Sequence, residues 1–257
     1  MLIKSANLNA NVSELLPSVL AETNAPNVSE RYKHIQTSDV IDALSAQGFR
    51  LVSQQGKRDL HSAHGLLLVN REIGFLDNTF SENYATVSLF NSHNGKSAVT
   101  LVSGFFRQVC SNGMITGNAD QWLKIRHSQK GFDLIGSTVD ELPNRIAAFR
   151  DLIVKLQNTK LTAAEMIELC EYVKSNLAGL RPIARADDLL QLRRLADGKA
   201  DAWTIANVIQ ENVIRGGIIS ANSGRRLRSV NRLNNQNRLT GVVINSVEDF
   251  VNNLNAA

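Results

Sequence analysis

The chain has 257 residues, 43% of them apolar, and a formal net charge of +4; that length buries a substantial core as one large domain or two small ones. Its most apolar runs, such as Gly65–Val69 and Ala98–Val102, fall far short of the ~18 residues that suggest a membrane span. The start of the chain turns polar at Asn7, Asn9 and Asn11, so it lacks the apolar core of a secretory signal.

In chain order, residues 1–32 read as an arm, with a short helix over Val12–Ala21 that Pro17 interrupts. Thr37-Ser38-Asp39 starts a helix whose apolar face is Val40, Ile41 and Leu44, and Gly48 ends it. The texture then changes to strands. Phe49–Gln55 is followed by a turn at Gly56–Asp59, and Ser62–Arg71 is a second strand centred on Leu66–Val69. After a loop over Leu76–Asn83, Ala85–Asn91 and Ala98–Val109 form a hairpin closed by Asn94-Gly95 and ended by Asn112-Gly113. About four such strands predict a mostly antiparallel sheet, one face of which can stay open to solvent or a ligand.

Ala119–His127 reads as a short helix or an extended segment. Leu142–Gln157 is a helix, because Ile146, Phe149, Ile153 and Leu156 recur at spacings of three and four. Thr162 and Glu165 form a capping box that opens the next, with Met166, Leu169, Cys170, Val173 and Leu177 as its stripe. Asp187–Ala196 and Thr204–Ile214 are two more, ended by Gly198 and by Gly216-Gly217. Ser220–Asn237 is polar and rich in Asn and Arg, and Ser246–Leu254 is a terminal helix. The layout predicts an α+β class: an arm over 1–32, a β-rich core over 33–135 and a helical region over 136–257.

Catalytic constellations are missing. His93 and Cys110 are a nucleophile and base only if they meet, and antiparallel pairing places them at opposite ends of the hairpin. His61 and His64, three apart on a strand, point to opposite faces. No Cys-x-x-Cys or His-Glu-x-x-His accompanies them. His127, near Arg126 and Lys130, suggests anion contact, and His34 carries no signal. The carboxylates Asp59, Glu72, Asp77 and Glu82 fall at turns and loops, so no two-metal set assembles. Gly113-Met-Ile-Thr-Gly117 lacks the Gly-Lys-Ser/Thr of a phosphate-binding loop. No catalytic residue, metal or cofactor is assigned. Cys110 and Cys170 fit a reduced cytoplasmic protein more simply than one disulfide.

Cations are the stronger theme. Arg50, Lys57, Arg58 and Arg71 lie on or beside the first two strands, Lys96 and Arg107 on the second pair, and Lys124 and Arg126 follow. With Phe105 and Phe106 beside Arg107, they suit a platform for a single-stranded backbone. From Arg215 to Asn245 there are six arginines and no carboxylate, with Arg225, Arg226, Arg228 and Arg232 at its centre. That asymmetry points to an anionic partner, nucleic acid first.

Ser29-Glu-Arg-Tyr-Lys-His-Ile-Gln-Thr-Ser-Asp-Val-Ile-Asp-Ala-Leu, Asn91-Ser-His-Asn-Gly and Phe106-Arg-Gln-Val-Cys-Ser-Asn-Gly-Met resemble a family of phage- and plasmid-encoded proteins known only as a domain of unknown function. Ala202-Trp-Thr-Ile-Ala-Asn and the stretch Arg225–Arg232 are similar to its C-terminal part. The resemblance implies a mobile-element origin and no particular activity. The order of helix, hairpin, further strands and helix is also similar to the ring-forming Rad52-type single-strand annealing proteins, from which the long helical half and the extra strand depart.

The expected function is a nucleic-acid-binding protein, single-stranded DNA first, in phage or plasmid recombination or replication. It would work without a cofactor in the host cytoplasm, as a homo-oligomeric ring or filament if it anneals strands. The alternative is a protein-interaction module, a phage factor or inhibitor that binds a host or phage protein. An enzyme ranks last.

Overall fold

The computed structural model describes residues 14–107, 114–116 and 122–256. In chain order the elements are α1 (Thr37–Ala46), β1 (Arg50–Gly56), β2 (His64–Leu76), β3 (Glu82–Asn91), β4 (Val99–Arg107), β5 (Met114–Thr116), β6 (Trp122–Ile125), α2 (Gln129–Asp133), α3 (Ile135–Asp140), α4 (Leu142–Asn158), α5 (Ala163–Leu177), α6 (Ala202–Arg215) and α7 (Leu233–Leu254). The class is α+β, as the layout predicts. The described residues divide into two units: 14–75, 83–107 and 122–146 make the first, and 76–82, 114–116 and 147–256 the second.

The first unit is built on the sheet strands β1-β2-β3-β4, in that order, with β6 paired to β4. β1–β2, β3–β4 and β4–β6 pair antiparallel, with a register shift between Leu51 and Ser53. Gly95 at φ 74° closes the predicted β3–β4 turn, a left-handed position that glycine takes without a Cβ penalty. Ala85, Val87 and Leu89 on β3 lie across from Phe105, Ser103 and Leu101 on β4, and their burial supplies the hydrophobic drive for the pairing. Helix α1 packs on β1 and α3 and buries Val40 and Leu44. It ends where Gly48 turns to φ 84°, and Asn70 of β2 fastens that end by donating from Nδ2 to the Gln47 carbonyl at 2.9 Å.

The expected open sheet face is corrected here. Every residue of β4 and the first seven of β2 are buried. On β3, Thr86 and Ser88, which point opposite to Ala85 and Val87, are also fully buried. The centre of the sheet is therefore covered on both faces.

In the second unit α7 packs on α5 and α6. The capping box of α5 is present: the Glu165 amide donates to Thr162 Oγ1 and the Thr162 amide to Glu165 Oε2. Helix α6 is capped by Asp201, whose carboxylate accepts from the amide and hydroxyl of Thr204. Residues Ala202–Ile214 are buried without a break, the mark of a helix at the centre of its unit.

Three expected elements differ, and one open alternative is decided. The described part of the arm shows a turn, with Val19 and Leu20 amides donating to the Leu16 carbonyl, in place of a helix over Val12–Ala21. Of the two alternatives for Ala119–His127, the extended one holds, as the strand β6 over Trp122–Ile125. Asp187–Ala196 is two short 3₁₀ turns, Asp187–Leu190 and Leu195–Asp197. The chain between them is extended because Asn212 Nδ2 draws in the carbonyls of Leu189 and Gln191, each at 2.9 Å. Helix α7 begins thirteen residues before Ser246, at Leu233, since its buried stripe includes the polar Asn237 and Thr240, which hide the apolar period.

Candidate functional site: a histidine cluster and an arginine hairpin

The strand register fixes where the motif residues meet. Gly56 lies opposite His64, Phe90 opposite Thr100 and Val99 opposite Ile125, so the loops 57–63, 92–98 and 126–128 share one end of the sheet. All five histidines lie at that end, where the His61 carbonyl accepts the His93 amide, and the rings of four of them gather. The ring of His93 lies 4.5 Å from His34, 5.6 Å from His64 and 6.4 Å from His127 between centroids. Tyr32 stacks on His127 at 4.5 Å.

The hydrogen bonds fix most of the protons, because a carbonyl only accepts. His93 donates from Nε2 to the Ser18 carbonyl at 2.9 Å, and His34 from Nε2 to the Ala21 carbonyl at 2.9 Å. His64 donates from Nδ1 to the Ser62 carbonyl, which leaves its Nε2 to accept the Thr37 hydroxyl at 2.9 Å. That hydroxyl accepts in turn from Asn91 Nδ2 at 3.0 Å. Thr37 begins α1, but its hydroxyl serves this chain, and α1 has no side-chain cap. His127 faces two acceptors, Asn91 Oδ1 at 3.0 Å and the Lys33 carbonyl at 3.2 Å.

Burial disfavours the charged form of three of these rings. His93 is fully buried, and desolvation, with His34, His64 and His127 around it, pushes its pKa down to about 3. Its Nδ1 has no partner among the described residues, so a second proton would find no acceptor. Desolvation also lowers His64 and His127, and it raises the Tyr32 phenol, which donates to the Ser92 carbonyl, to about 12.

No carboxylate joins the hydrogen-bond chain, and among the described residues no group of three His, Cys, Asp or Glu side chains is placed to hold a metal ion. What the cluster does is fasten residues 18–37 to the end of the sheet. The Ala25 amide donates to the His93 carbonyl, and the Lys33 amide to the His127 carbonyl. The stretch Ser29–Thr37 and Asn91-Ser-His are thus two halves of one interlock. His34 and the role of Thr37 were invisible in the sequence; the nearest signal was the density of His, Asn and Ser at predicted turns.

Cys110 lies outside the described residues. Cys170 is a buried free thiol that burial pushes up to about 12, which makes it a poor nucleophile.

The cations predicted for a single groove divide between the two ends of the sheet. Lys57, Arg58, Lys96 and Arg126 are exposed at the histidine end, where Arg58 pairs with Glu14 at 3.3 Å. Lys124 lies on β6 with its ammonium 5.7 Å from the centre of the Trp122 ring. Arg50 and Arg71 are exposed towards the other end, and Arg50 donates to the Ser45 carbonyl at 3.0 Å. Arg107 is corrected: it is 1% exposed, because all of β4 is covered, and offers no surface for a ligand.

The second unit keeps its arginines outside. After α6, Gly216 at φ 72° turns the chain, and a Cβ there would lie 2.3 Å from the Leu227 carbonyl oxygen. The Gly217 amide then donates to the Leu227 carbonyl, the Leu227 amide to Ile218 and the Ser220 amide to Arg225. Ile219 bridges Arg226 antiparallel. The result is a small hairpin over 217–228 with Arg225, Arg226 and Arg228 exposed, and Arg232 and Arg238 exposed after it.

Carboxylates close to this hairpin in the chain are already engaged. Arg194 bridges Asp197 at 2.6 Å and Glu211 at 2.7 Å, and Arg215 reaches Glu211 at 2.8 Å. Arg193 donates to Asn212 Oδ1 and to the Gly216 carbonyl, while Arg181 donates to the Arg228 carbonyl at 2.6 Å. The base of the hairpin is clamped, and among the described residues none of Arg225, Arg226, Arg228, Arg232 and Arg238 is in an ion pair. Among those residues, too, no helix is long and apolar enough to cross a membrane.

Two curated relatives are similar to the chain over most of its length. UPF0380 protein YafZ of Escherichia coli (strain K12) is 28% identical over 221 residues, covering 81% of this chain and 77% of that protein. UPF0380 protein YfjQ of the same organism is 29% identical over 220 residues, with the same coverage. No solved structure matches, so the likeness to Rad52-type proteins rests on element order alone. Residues 26–242 match the family described as Domain of unknown function (DUF932). That span includes both halves of the histidine interlock and the arginine hairpin, and the chain belongs to this family.

Proposed function

We propose that the chain binds nucleic acid, single-stranded DNA first, through the arginine hairpin and the start of α7. The observation that carries the reading is the group Arg225, Arg226, Arg228, Arg232 and Arg238: all exposed, none in an ion pair among the described residues, and with no carboxylate in the sequence from Arg215 to Asn245. Uncompensated guanidinium groups on an ordered hairpin attract phosphates, and each phosphate they neutralise releases counterions. Exposed Lys57, Lys96, Lys124 and Arg126 add positive charge to the first unit. Lys124 beside Trp122 pairs a cation with an aromatic ring, the combination that single strands use.

The setting that suits this activity is recombination or replication of a phage or plasmid in the host cytoplasm, without cofactor, and an annealing role requires a homo-oligomeric ring or filament. Fluorescence anisotropy with a labelled oligonucleotide, single-stranded and then as duplex, tests the proposal. The single strand is expected to bind more tightly. Absence of a complex with either form would leave the protein-interaction reading.

A further inference from the structure

We propose that Phe80 and Lys199 form a stacking site for one unpaired base; the inference rests on the nucleic-acid reading and gives it a contact that distinguishes single strands from duplex. Phe80 sits in the turn between β2 and β3, in the second unit. It is the one non-glycine residue at positive φ among the described residues, at 59°. A bulky aromatic side chain is strained there. Burial does not offset the strain, since Phe80 is 80% exposed.

The turn is held by Asp77. Its Oδ1 accepts from the Thr79 amide at 2.8 Å, the Thr79 hydroxyl at 2.6 Å and the Ser81 amide at 3.0 Å. The Phe80 amide donates to the Asp77 carbonyl, and the Asp77 amide to the Ser81 carbonyl. These bonds hold the turn that carries Phe80. Asn78, in the same turn, is fastened on both sides: its Nδ2 donates to the Gln157 carbonyl, and its own carbonyl accepts the Lys199 ammonium.

Lys199 lies with its ammonium 5.2 Å from the centre of the Phe80 ring. Pairing of Lys160 with Asp201 and donation from the Leu161 amide to the Ala200 carbonyl hold its backbone. An exposed ring with a cation over one face matches one nucleotide of a single strand: the other face of the ring takes the face of the base and the ammonium takes the phosphate. Stacking needs no base-edge hydrogen bonds and tolerates any sequence. A paired base inside a duplex has no free face to offer. The Lys199 ammonium at the ring favours an anionic ligand over an apolar peptide, and the unpaired arginines of the same unit supply further phosphate contacts along a strand.

The test compares wild type, Phe80→Ala, Phe80→Trp and Lys199→Gln by anisotropy. The probes are a single-stranded oligonucleotide, its duplex, and the same strand carrying abasic sites. Phe80→Ala is expected to weaken single-strand binding about 5- to 150-fold, to leave duplex binding unchanged, and to erase the preference for the base-bearing strand. The melting temperature should hold, because the ring is exposed and alanine keeps the Cβ that meets the same backbone strain. Phe80→Trp should keep the affinity and lose its added fluorescence when the strand binds, and Lys199→Gln should weaken both single-strand probes alike. If wild type binds the strand and Phe80→Ala binds it equally well, the stacking site is wrong and the nucleic-acid reading stands. If wild type binds no strand at all, both fall. If Phe80→Ala instead abolishes binding of a defined protein partner while strand binding is unchanged, Phe80 serves that partner and the stacking site is wrong.

Discussion

The triple variant R225Q/R226Q/R228Q is expected to bind single-stranded DNA far more weakly than wild type, and with a shallower salt dependence. Each phosphate contact on a single strand contributes about 0.7 to the slope of log affinity against log salt, so losing three lowers its magnitude by about 2. At physiological salt that corresponds to a loss on the order of tenfold to a hundredfold. The fold should be untouched. All three side chains are exposed, and the hairpin is held by backbone bonds between 217–220 and 225–227. The one side-chain bond removed is Arg226 to the Gly217 carbonyl, itself exposed. The change in stability should stay within about 0.5 kcal/mol, the ordinary range for surface positions. Anisotropy at several salt concentrations and a thermal melt measure both quantities. An unchanged slope would mean that these arginines touch no phosphate.

The second large effect is on acid stability. His93 has an ordinary unfolded pKa near 6.5 and a folded value of about 3. Between those values the unfolded chain takes up a proton that the folded chain refuses. The contribution of His93 to stability is therefore complete above about pH 6.5 and is lost as pH falls towards 3. By pH 5 the loss from His93 alone is about 2 kcal/mol, a figure that barely depends on the folded value so long as it lies well below 5. His64 and His127 are shifted in the same direction and add to it. The lowered carboxylates Asp59, Glu165 and Asp187 lose their contributions only at more acid pH, below the usual carboxylate range. Urea unfolding at pH 7.5 and pH 5 should thus show a clear fall in midpoint. His93→Gln should start lower, from lost packing, but fall less between the two pH values. A wild-type midpoint that is flat over this range would mean that the cluster opens to water.

Local rules carried much of the fold. The Asn94-Gly95 turn, the Thr162–Glu165 capping box and the glycine after α6 each depend on neighbours a few residues away, and each stands where its chemistry placed it. What the sequence concealed needs partners far along the chain. Asn212 converts an apparent helix at 187–196 into two short turns by binding carbonyls some twenty residues away. The histidine cluster depends on contacts between positions 34, 64, 93 and 127, which no spacing rule connects. Arg107, after two phenylalanines, has the pattern of a surface cation on an open sheet; complete burial of β4 removed it from the surface. The run of uncompensated arginines was legible because charge asymmetry is a property of composition, whereas the ordered hairpin that displays three of them was not.

Titrating a labelled single-stranded oligonucleotide with the wild-type protein, from about 50 to 200 mM salt, tests most directly whether this cationic surface holds a polyanion. With the five exposed arginines as phosphate contacts, log affinity should fall linearly with log salt, with a slope on the order of −3 to −4. A complex whose affinity ignores salt, or no complex at the lowest salt, would contradict nucleic-acid binding.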